Sequence, residues 1–314
     1  MEKEYDFIII GAGIAGLSAA MYAARLGMKT LCLGASSGSE LPVGGVISTT
    51  NIVENYPGIM KISGAELAES IKKHAESYEL VTIKEERAIS VEKKNNKFIV
   101  KTDVGNYNGK AILFATGSVW KKLDVPGSKE FENKGVAYCA LCDAPLFKNK
   151  VVAVVGGSNT AVKYANILSE YAKKVYIIYR KEKLRAEEAN LKKIEENKKV
   201  EIINNANVLK VVGDKVVKGV ILDRDYGRSN ELKLDGVFVA IGYVPSSELA
   251  KKLGIAVNEG GEIIIDHKTC ETSMKGAYAA GDIVDSPFKQ IIGAAGNGCK
   301  AAFSAYDYIS KEIK

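Results

Sequence analysis

Cys139 and Cys142 stand two residues apart in "YCALCDAPLF", and Asp143 follows at once. Thiols at this spacing can hold a metal, close a structural disulfide or carry electrons. A structural zinc site needs a full tetrahedral set of ligands. The chain offers one close cysteine pair and two isolated histidines, His74 in a charged helical stretch and His267 beside a lysine, which read as surface residues. No metal is therefore expected. The other cysteines, Cys32, Cys270 and Cys299, bring the total to an odd five and read as small buried hydrophobes. No secretion signal is read at the N-terminus, so the pattern points to a reducing cytoplasm, where a lone close pair is redox-active rather than structural. What remains is thiol–disulfide exchange, in which one thiolate attacks a disulfide and its neighbour resolves the mixed intermediate. Asp143 would then give and take the proton of the departing and attacking sulfurs. It also reads as a helix N-cap, and one residue could do both.

Two similar stretches flank this pair. Residues 5–34 read as strand, glycine turn, helix and strand: "YDFIII", "GAGIAG", "LSAAMYAARLG", "KTLCLG". Residues 150–180 repeat the pattern as "KVVAVV", "GGSNTA", "VKYANILSEYA", "KKVYIIYR". Each has the length of a βαβ crossover, and the interval from Gly16 to Gly34 equals that from Ala161 to Tyr179. The class is α/β, with two Rossmann-like, three-layer dinucleotide-binding domains. β-rich sequence follows each unit. After the first come a helix opened by the capping box Ser63-x-x-Glu66, the turn "KNNK" and the buried-looking strand "AILFATG". After the second come "VEIINNANVLKVV", "KGVILDRD" and "GVFVAIG". The tail from "GAYAAGDIV" to the helical "GCKAAFSAYDYIS" is expected to return to the first domain, which makes that domain discontinuous. The crossings fall near 119–127 and 244–248, with Pro126-Gly127 and Pro245-Ser246 as hinge candidates.

The first glycine motif is complete. Gly11 makes the tight turn, Gly13 lets backbone approach a pyrophosphate, and Gly16 lets helix and strand pack closely. The acidic residue that would hold a ribose is missing, since the second strand ends in Gly34 and Glu40 lies beyond it. In the second motif Ser158 stands at the middle glycine and Ala161 at the last. Arg180, Lys181 and Arg185 follow the second strand, and such a cluster suits a ribose 2′-phosphate better than a 2′-hydroxyl. The same residues also read as a solvated basic loop.

The bulk numbers agree with a soluble two-domain protein: 314 residues, 46% hydrophobic, 26% charged, net charge +6. The lysines are scattered without a block of like charge, which argues against nucleic acid as a partner. No apolar run reaches the length of a membrane span. The single Trp120 reads as packing.

The two dinucleotide folds, "CALCD" just before the second, "ATG" at 115–117, "AGD" at 280–282 and "KQIIGAAGNG" near the end resemble low-molecular-weight thioredoxin reductase, in this order over essentially the whole length. The resemblance implies an FAD domain over residues 1–118 and 247–314 and an NADPH domain over 119–246 that carries the redox pair. FAD falls to Gly11, Gly13, Ala15 and Gly16, with Gly44, Gly45, Asn55, Thr116 and Gly117 close by. Asp282 of Gly281-Asp282 falls on the ribityl-phosphate side, and Gln290 and Ile291 border the ring system. The NADPH site takes Gly156, Ser158, Asn159, Thr160 and Ala161, with Arg180, Lys181 and Arg185. Cys142 is implied to face the flavin and Cys139 to attack thioredoxin, in a cytoplasmic homodimer. Because the pair sits on the nucleotide domain, it cannot face flavin and a bulky partner in one arrangement, which invites a rotation between domains.

The chain departs from the family pattern at Ser158, Lys181, Tyr179 for the usual His, "CALCDA" for "CATCDG", and a longer loop between Gly34 and Gly45. These changes leave the cysteine chemistry in place. They leave open whether NADPH, NADH or a ferredoxin supplies the electrons, and whether the partner is thioredoxin or a glutaredoxin-like or peroxiredoxin protein. A rival from another class is a flavoprotein that binds nucleotides as a sensor or scaffold, without turnover.

Overall fold

In the first βαβ crossover, β1 (Lys3–Ile10) leads through a glycine turn into α1 (Ile14–Arg25) and on to β2 (Thr30–Leu33). The computed structural model to which they belong describes residues 3–34, 42–50 and 53–312. Glu40 and most of the loop after Gly34 lie outside the described residues. The chain divides into two units, Met1–Val119 with Val244–Lys314, and Trp120–Tyr243.

In the first unit β1 lies between β2 and β6 (Asn106–Phe114), parallel to both. Phe7, Ile8 and Ile9 are wholly buried, which is why this strand reads as an unbroken apolar run rather than an alternation. α2 (Gly64–Glu76) leads to β3 (Val81–Lys84), which extends the parallel set beyond β2. The helix starts at a true capping box, with the Glu66 N–H donating to Ser63 Oγ and the Ser63 N–H donating to Glu66 Oε2, both at 3.1 Å. β4 (Ala88–Lys94) and β5 (Lys97–Thr102) form a hairpin across Asn95-Asn96, both at positive φ as its tight turn requires.

The far edge of β6 is shared. β5 takes its first half, antiparallel, and β17 (Ala277–Ala279) takes its second, parallel. The last part of the chain also supplies α6 (Glu248–Lys252) and α7 (Ile291–Glu312). α7 crosses α1 so closely that a Cβ on Gly298 would lie 2.1 Å from the Ala15 carbonyl oxygen.

The second unit repeats the crossover with β9 (Val151–Val155), α4 (Asn159–Tyr171) and β10 (Lys174–Tyr179). Its parallel sheet runs β11-β10-β9-β15-β8, with β8 (Val136–Ala137), β11 (Val200–Asn204) and β15 (Gly236–Val239). α3 (Ala140–Asp143) follows β8, and α5 (Glu188–Glu195) precedes β11. A second, antiparallel sheet holds β12 (Val208–Gly213), β13 (Val217–Tyr226) and β14 (Ser229–Lys233). The run "VEIINNANVLKVV" is thus two strands of different sheets, broken where Asn205 takes φ 52°. β7 (Ser118–Trp120) and β16 (Tyr243–Pro245) carry the two crossings and pair with each other, and the Trp120 ring meets Tyr243 edge-on at 6.3 Å.

Pro126-Gly127 does not lie at a crossing. It belongs to the second unit, where the Pro126 carbonyl accepts the Val211 N–H at 2.9 Å and Gly127 turns at φ 84° against that strand. Cys32 and Cys270 are fully buried and Cys299 partly so. Burial pushes their thiols up, to about 12 for Cys32 and about 11 for the other two, which keeps them protonated through the neutral range.

One buried charge ties the first unit's sheet together. Glu86, between β3 and β4, accepts hydrogen bonds at 2.8 Å from Lys84 Nζ, Thr102 Oγ1 and the Tyr107 hydroxyl. Burial pushes its carboxyl up, but the donors, Lys84 first, outweigh that and hold it below its usual range. A depressed carboxylate stabilises the fold above its unfolded value of about 4.3 and loses that contribution as pH falls through the folded value. Glu86→Gln should cost about 2 kcal/mol at pH 7 in denaturant unfolding. The gap from wild type should close as the pH is lowered below about 4.

Candidate active site

Cys139 and Cys142 are joined as a disulfide. The single helical turn of α3 brings them together: the Cys142 and Asp143 N–H groups both point back to the Cys139 carbonyl, at 3.3 and 3.1 Å, and the two Cα atoms lie 5.3 Å apart. Ala140 and Ala144 face inward onto α4, in one cluster with Ala161, Tyr164, Ala165 and Leu168. Small side chains are needed where this turn meets the helix. Leu141, between the sulfurs, and Leu146 beyond them are instead exposed.

Asp143 closes α3 and stands before a 3-10 turn, Ala144–Phe147, but its side chain makes no capping bond. The N-cap role is therefore not the one it performs. Burial pushes its carboxyl up to about 6, so it can both release and accept a proton near neutrality.

In the first unit the structure brings Gly11, Gly13, Ala15, Gly16, Gly44, Gly45 and Gly281 to one place. A Cβ on Gly11 would lie 2.2 Å from the Ala115 carbonyl oxygen, and one on Gly16 would lie 1.9 Å from the Gly11 oxygen. Over Gly13 the space is open, with nothing nearer than the Gly44 oxygen at 3.9 Å. The Gly44 N–H donates to the Ala12 carbonyl at 2.7 Å, which seats the Gly44-Gly45 loop against the turn. Gly281 approaches Ala15 on the other side, where an added Cβ would stand 3.1 Å from the Ala15 Cβ. The first turn of α1 has no acidic side chain and no side-chain cap, which leaves its N–H groups to an anion.

Asp282 follows Gly281, with its carboxyl raised by burial against an opposing pull from Lys289. Lys289 was not legible as a site residue. Its ammonium donates to the Asp282 and Val284 carbonyls at 2.8 and 2.7 Å and pairs with Glu262 at 2.9 Å, locking the loop that presents Asp282. Its place beside Gln290 in "KQIIG" was the available signal. Asn55 Nδ2 donates to Gln290 Oε1 at 3.1 Å, and Ile291 opens α7. Thr116 and Gly117 bond instead to Ser246: the Thr116 hydroxyl donates to its carbonyl at 2.7 Å, and its N–H donates to the Gly117 oxygen at 3.0 Å.

The second unit repeats the cradle with changes. A Cβ on Gly156 would lie 2.3 Å from the Ala240 carbonyl oxygen, the counterpart of the Gly11 contact. Ser158 caps α4 by position only, exposed and without a side-chain bond to the helix. The Arg185 N–H donates to the Gly157 carbonyl at 2.7 Å, which fixes Arg185 beside Ser158, while Arg180 and Lys181 are exposed at the end of β10. Thr160 and Ala161 lie within the first turn of α4. Asn159 is tied to Glu187, accepting its N–H at 2.6 Å and donating to its carboxylate at 3.2 Å. Sequence reading missed the pairing of Gly157 with Tyr179, whose ring fills the space where a Gly157 Cβ would be.

Two Rossmann-like units, one bearing a closed cysteine pair beside a carboxyl raised by burial, have the architecture of an oxidoreductase that handles dinucleotides and a disulfide. A family model for pyridine nucleotide-disulphide oxidoreductases matches residues 5–301, and the chain belongs to that family. Thioredoxin reductase of Bacillus subtilis (strain 168) is 38% identical over 316 residues, covering 99% of this chain and 96% of its own length. The F component of alkyl hydroperoxide reductase from Escherichia coli (strain K12) is 38% identical over 311 residues, 97% of this chain but 58% of its own length. Among solved structures, thioredoxin reductase from Giardia duodenalis matches with a TM-score of 0.86 at 33% identity, over 98% of this chain and 100% of that one. Membership brings FAD and a pyridine nucleotide as cofactors. The open space above Gly13, bounded by Gly44 and the unencumbered start of α1, fits the pyrophosphate of such a dinucleotide.

Asp143 carries a thermodynamic cost. A carboxyl raised in the native state binds more protons folded than unfolded, so stability falls as pH rises from about 4 through about 6. Asp143→Asn should therefore raise the thermal midpoint at pH 7.5 and leave it unchanged at pH 4. An equal midpoint at both pH values would mean that the carboxyl is not held up by burial.

Proposed function

We propose that the chain is a thioredoxin-disulfide reductase that passes electrons from NADPH, through FAD and the Cys139–Cys142 pair, to a protein disulfide. The observation that carries this is the closed pair on an anchored helical turn with Asp143 poised near neutrality. FAD, when bound, supplies the two-electron relay between the nucleotide and the disulfide. Gly11, Gly13, Gly16, Gly44 and Gly281 would hold it, with Asp282 presented by the Lys289 lock.

The chain's own residues perform the exchange. Once the pair is reduced, the Cys139 thiolate attacks a partner sulfur; the partner disulfide breaks and a mixed disulfide forms. The departing partner thiolate takes the proton of the Asp143 carboxyl. The resulting carboxylate takes the proton of Cys142, whose sulfur then displaces the partner from Cys139 and restores the intramolecular bond. The second partner thiolate receives the proton that Asp143 now carries, so two electrons leave and one neutral dithiol is released. Arg180, Lys181 and Arg185 support NADPH as donor, because Arg185 is held at the glycine turn by its own backbone. A second reading, reduction of a peroxiredoxin-type partner by the same chemistry, is favoured by the Escherichia coli relative.

Anaerobic titration of the oxidised flavoprotein with NADPH, NADH and reduced ferredoxin separates the donors, and steady-state assays with thioredoxin and peroxiredoxin separate the partners. Rapid bleaching by NADPH is expected; bleaching by ferredoxin alone would overturn the donor assignment. Cys139→Ser should abolish reduction of protein disulfides and leave NADPH bleaching intact. Asp143→Asn should slow partner reduction by about 100-fold, the value of a positioned acid–base group. Arg185→Ala should raise the KM for NADPH about tenfold while leaving that for NADH near wild type.

A further inference from the structure

Tyr138, immediately before Cys139, is clamped. The Lys122 ammonium lies 4.6 Å from its ring centroid, and its carbonyl accepts the Tyr164 hydroxyl at 3.0 Å. Tyr164 is buried on α4 among the alanines that receive the redox turn. Phenylalanine there would fill the same apolar space, so the hydroxyl serves the carbonyl rather than the packing. α4 is also the helix opened by Ser158, and the hydroxyl thus ties the redox turn to the helix of the second glycine cradle. Burial, with Asp143 nearby, pushes the Tyr164 phenol up to about 12, so it keeps its proton and remains a donor through the neutral range.

Lys163, next to Tyr164 in sequence, lies 3.8 Å from Glu187. Lys122 pairs with Glu132. The segment Ala144–Phe147 carries no titratable side chain.

We propose that Tyr164 is a positioning residue: by holding the Tyr138 carbonyl, its hydroxyl fixes the backbone that presents Cys139 for attack on a disulfide. The inference rests on the reading of Cys139 as the attacking sulfur. In that step the Cys139 thiolate forms a bond to one sulfur of the acceptor, whose disulfide breaks to release a thiolate.

The test uses the FAD-loaded protein and Tyr164→Phe, with the pair reduced beforehand by dithiothreitol and the excess removed. Single-turnover rates are measured with thioredoxin disulfide and, separately, with 5,5′-dithiobis(2-nitrobenzoate), a small disulfide that needs no protein docking. Bleaching of the oxidised flavin by NADPH is followed in parallel. The expected result is a drop of about tenfold with both disulfides, the value of a hydrogen bond lost from the reacting geometry, and unchanged bleaching. Unchanged rates with both disulfides would overturn the proposal. So would a loss confined to thioredoxin, which would make Tyr164 a docking residue, or an equal loss in bleaching, which would make it a general support of α4. If wild type reduces the small disulfide but not thioredoxin, the functional reading fails while the small-disulfide arm still decides the role of Tyr164.

Discussion

In both units a backbone carbonyl at the end of one parallel strand lies where the neighbouring glycine turn would carry a Cβ: Ala115 against Gly11, and Ala240 against Gly156. Each turn can approach that closely only without a side chain and at positive φ, 111° and 141°. Through this contact the helix that follows is laid tightly against the sheet, with its first turn at the open end of the strands, where α/β proteins receive dinucleotides. The Gly44-Gly45 loop, Gly281 and α7 are in turn arranged around α1, whose Ala15 is approached by both Gly281 and Gly298.

The redox turn depends on the same geometry at one remove. α4 is fixed by the Gly156 contact, and its apolar face, with Ala161, Ala165 and Leu168, receives Ala140 and Ala144. The cysteines therefore ride on a helix that the nucleotide cradle has already placed. The two sulfurs are not equivalent. Cys139 lies between the clamped Tyr138 and the buried Ala140, whereas Cys142 follows the exposed Leu141. Asp143 gains its proton affinity from burial, which works against stability near neutral pH.

Local signals carried much of the fold. The paired crossovers, the Ser63 capping box and the Asn95-Asn96 turn depend on neighbours in sequence, and the structure contains each of them. Where composition alone leaves the structure open, a long-range contact decides. "VEIINNANVLKVV" has the composition of one extended segment, yet Asn205 divides it because β11 completes the parallel sheet while β12 pairs with β13. Pro126-Gly127 has the composition of a hinge, yet it is bound to Val211, far along the chain.

The sequence alone determined the chemistry that is written in residue type and short spacing: a close cysteine pair next to an acid, two glycine turns, and a basic cluster after the second. Such features need only a few adjacent residues to be recognised. Only the tertiary structure decided how those groups behave. Asp143 is raised because the fold half-buries it, Arg185 stands at the cradle because its N–H meets Gly157, and the Asp282 loop is held because Lys289 ties its carbonyls to Glu262. Tyr164 carries no motif; its hydroxyl matters only because α4 brings it to the Tyr138 carbonyl. Desolvation and hydrogen bonds between distant residues exist only in the packed chain, and they raise the Asp143 carboxyl and fix the positions of Arg185 and the Asp282 loop.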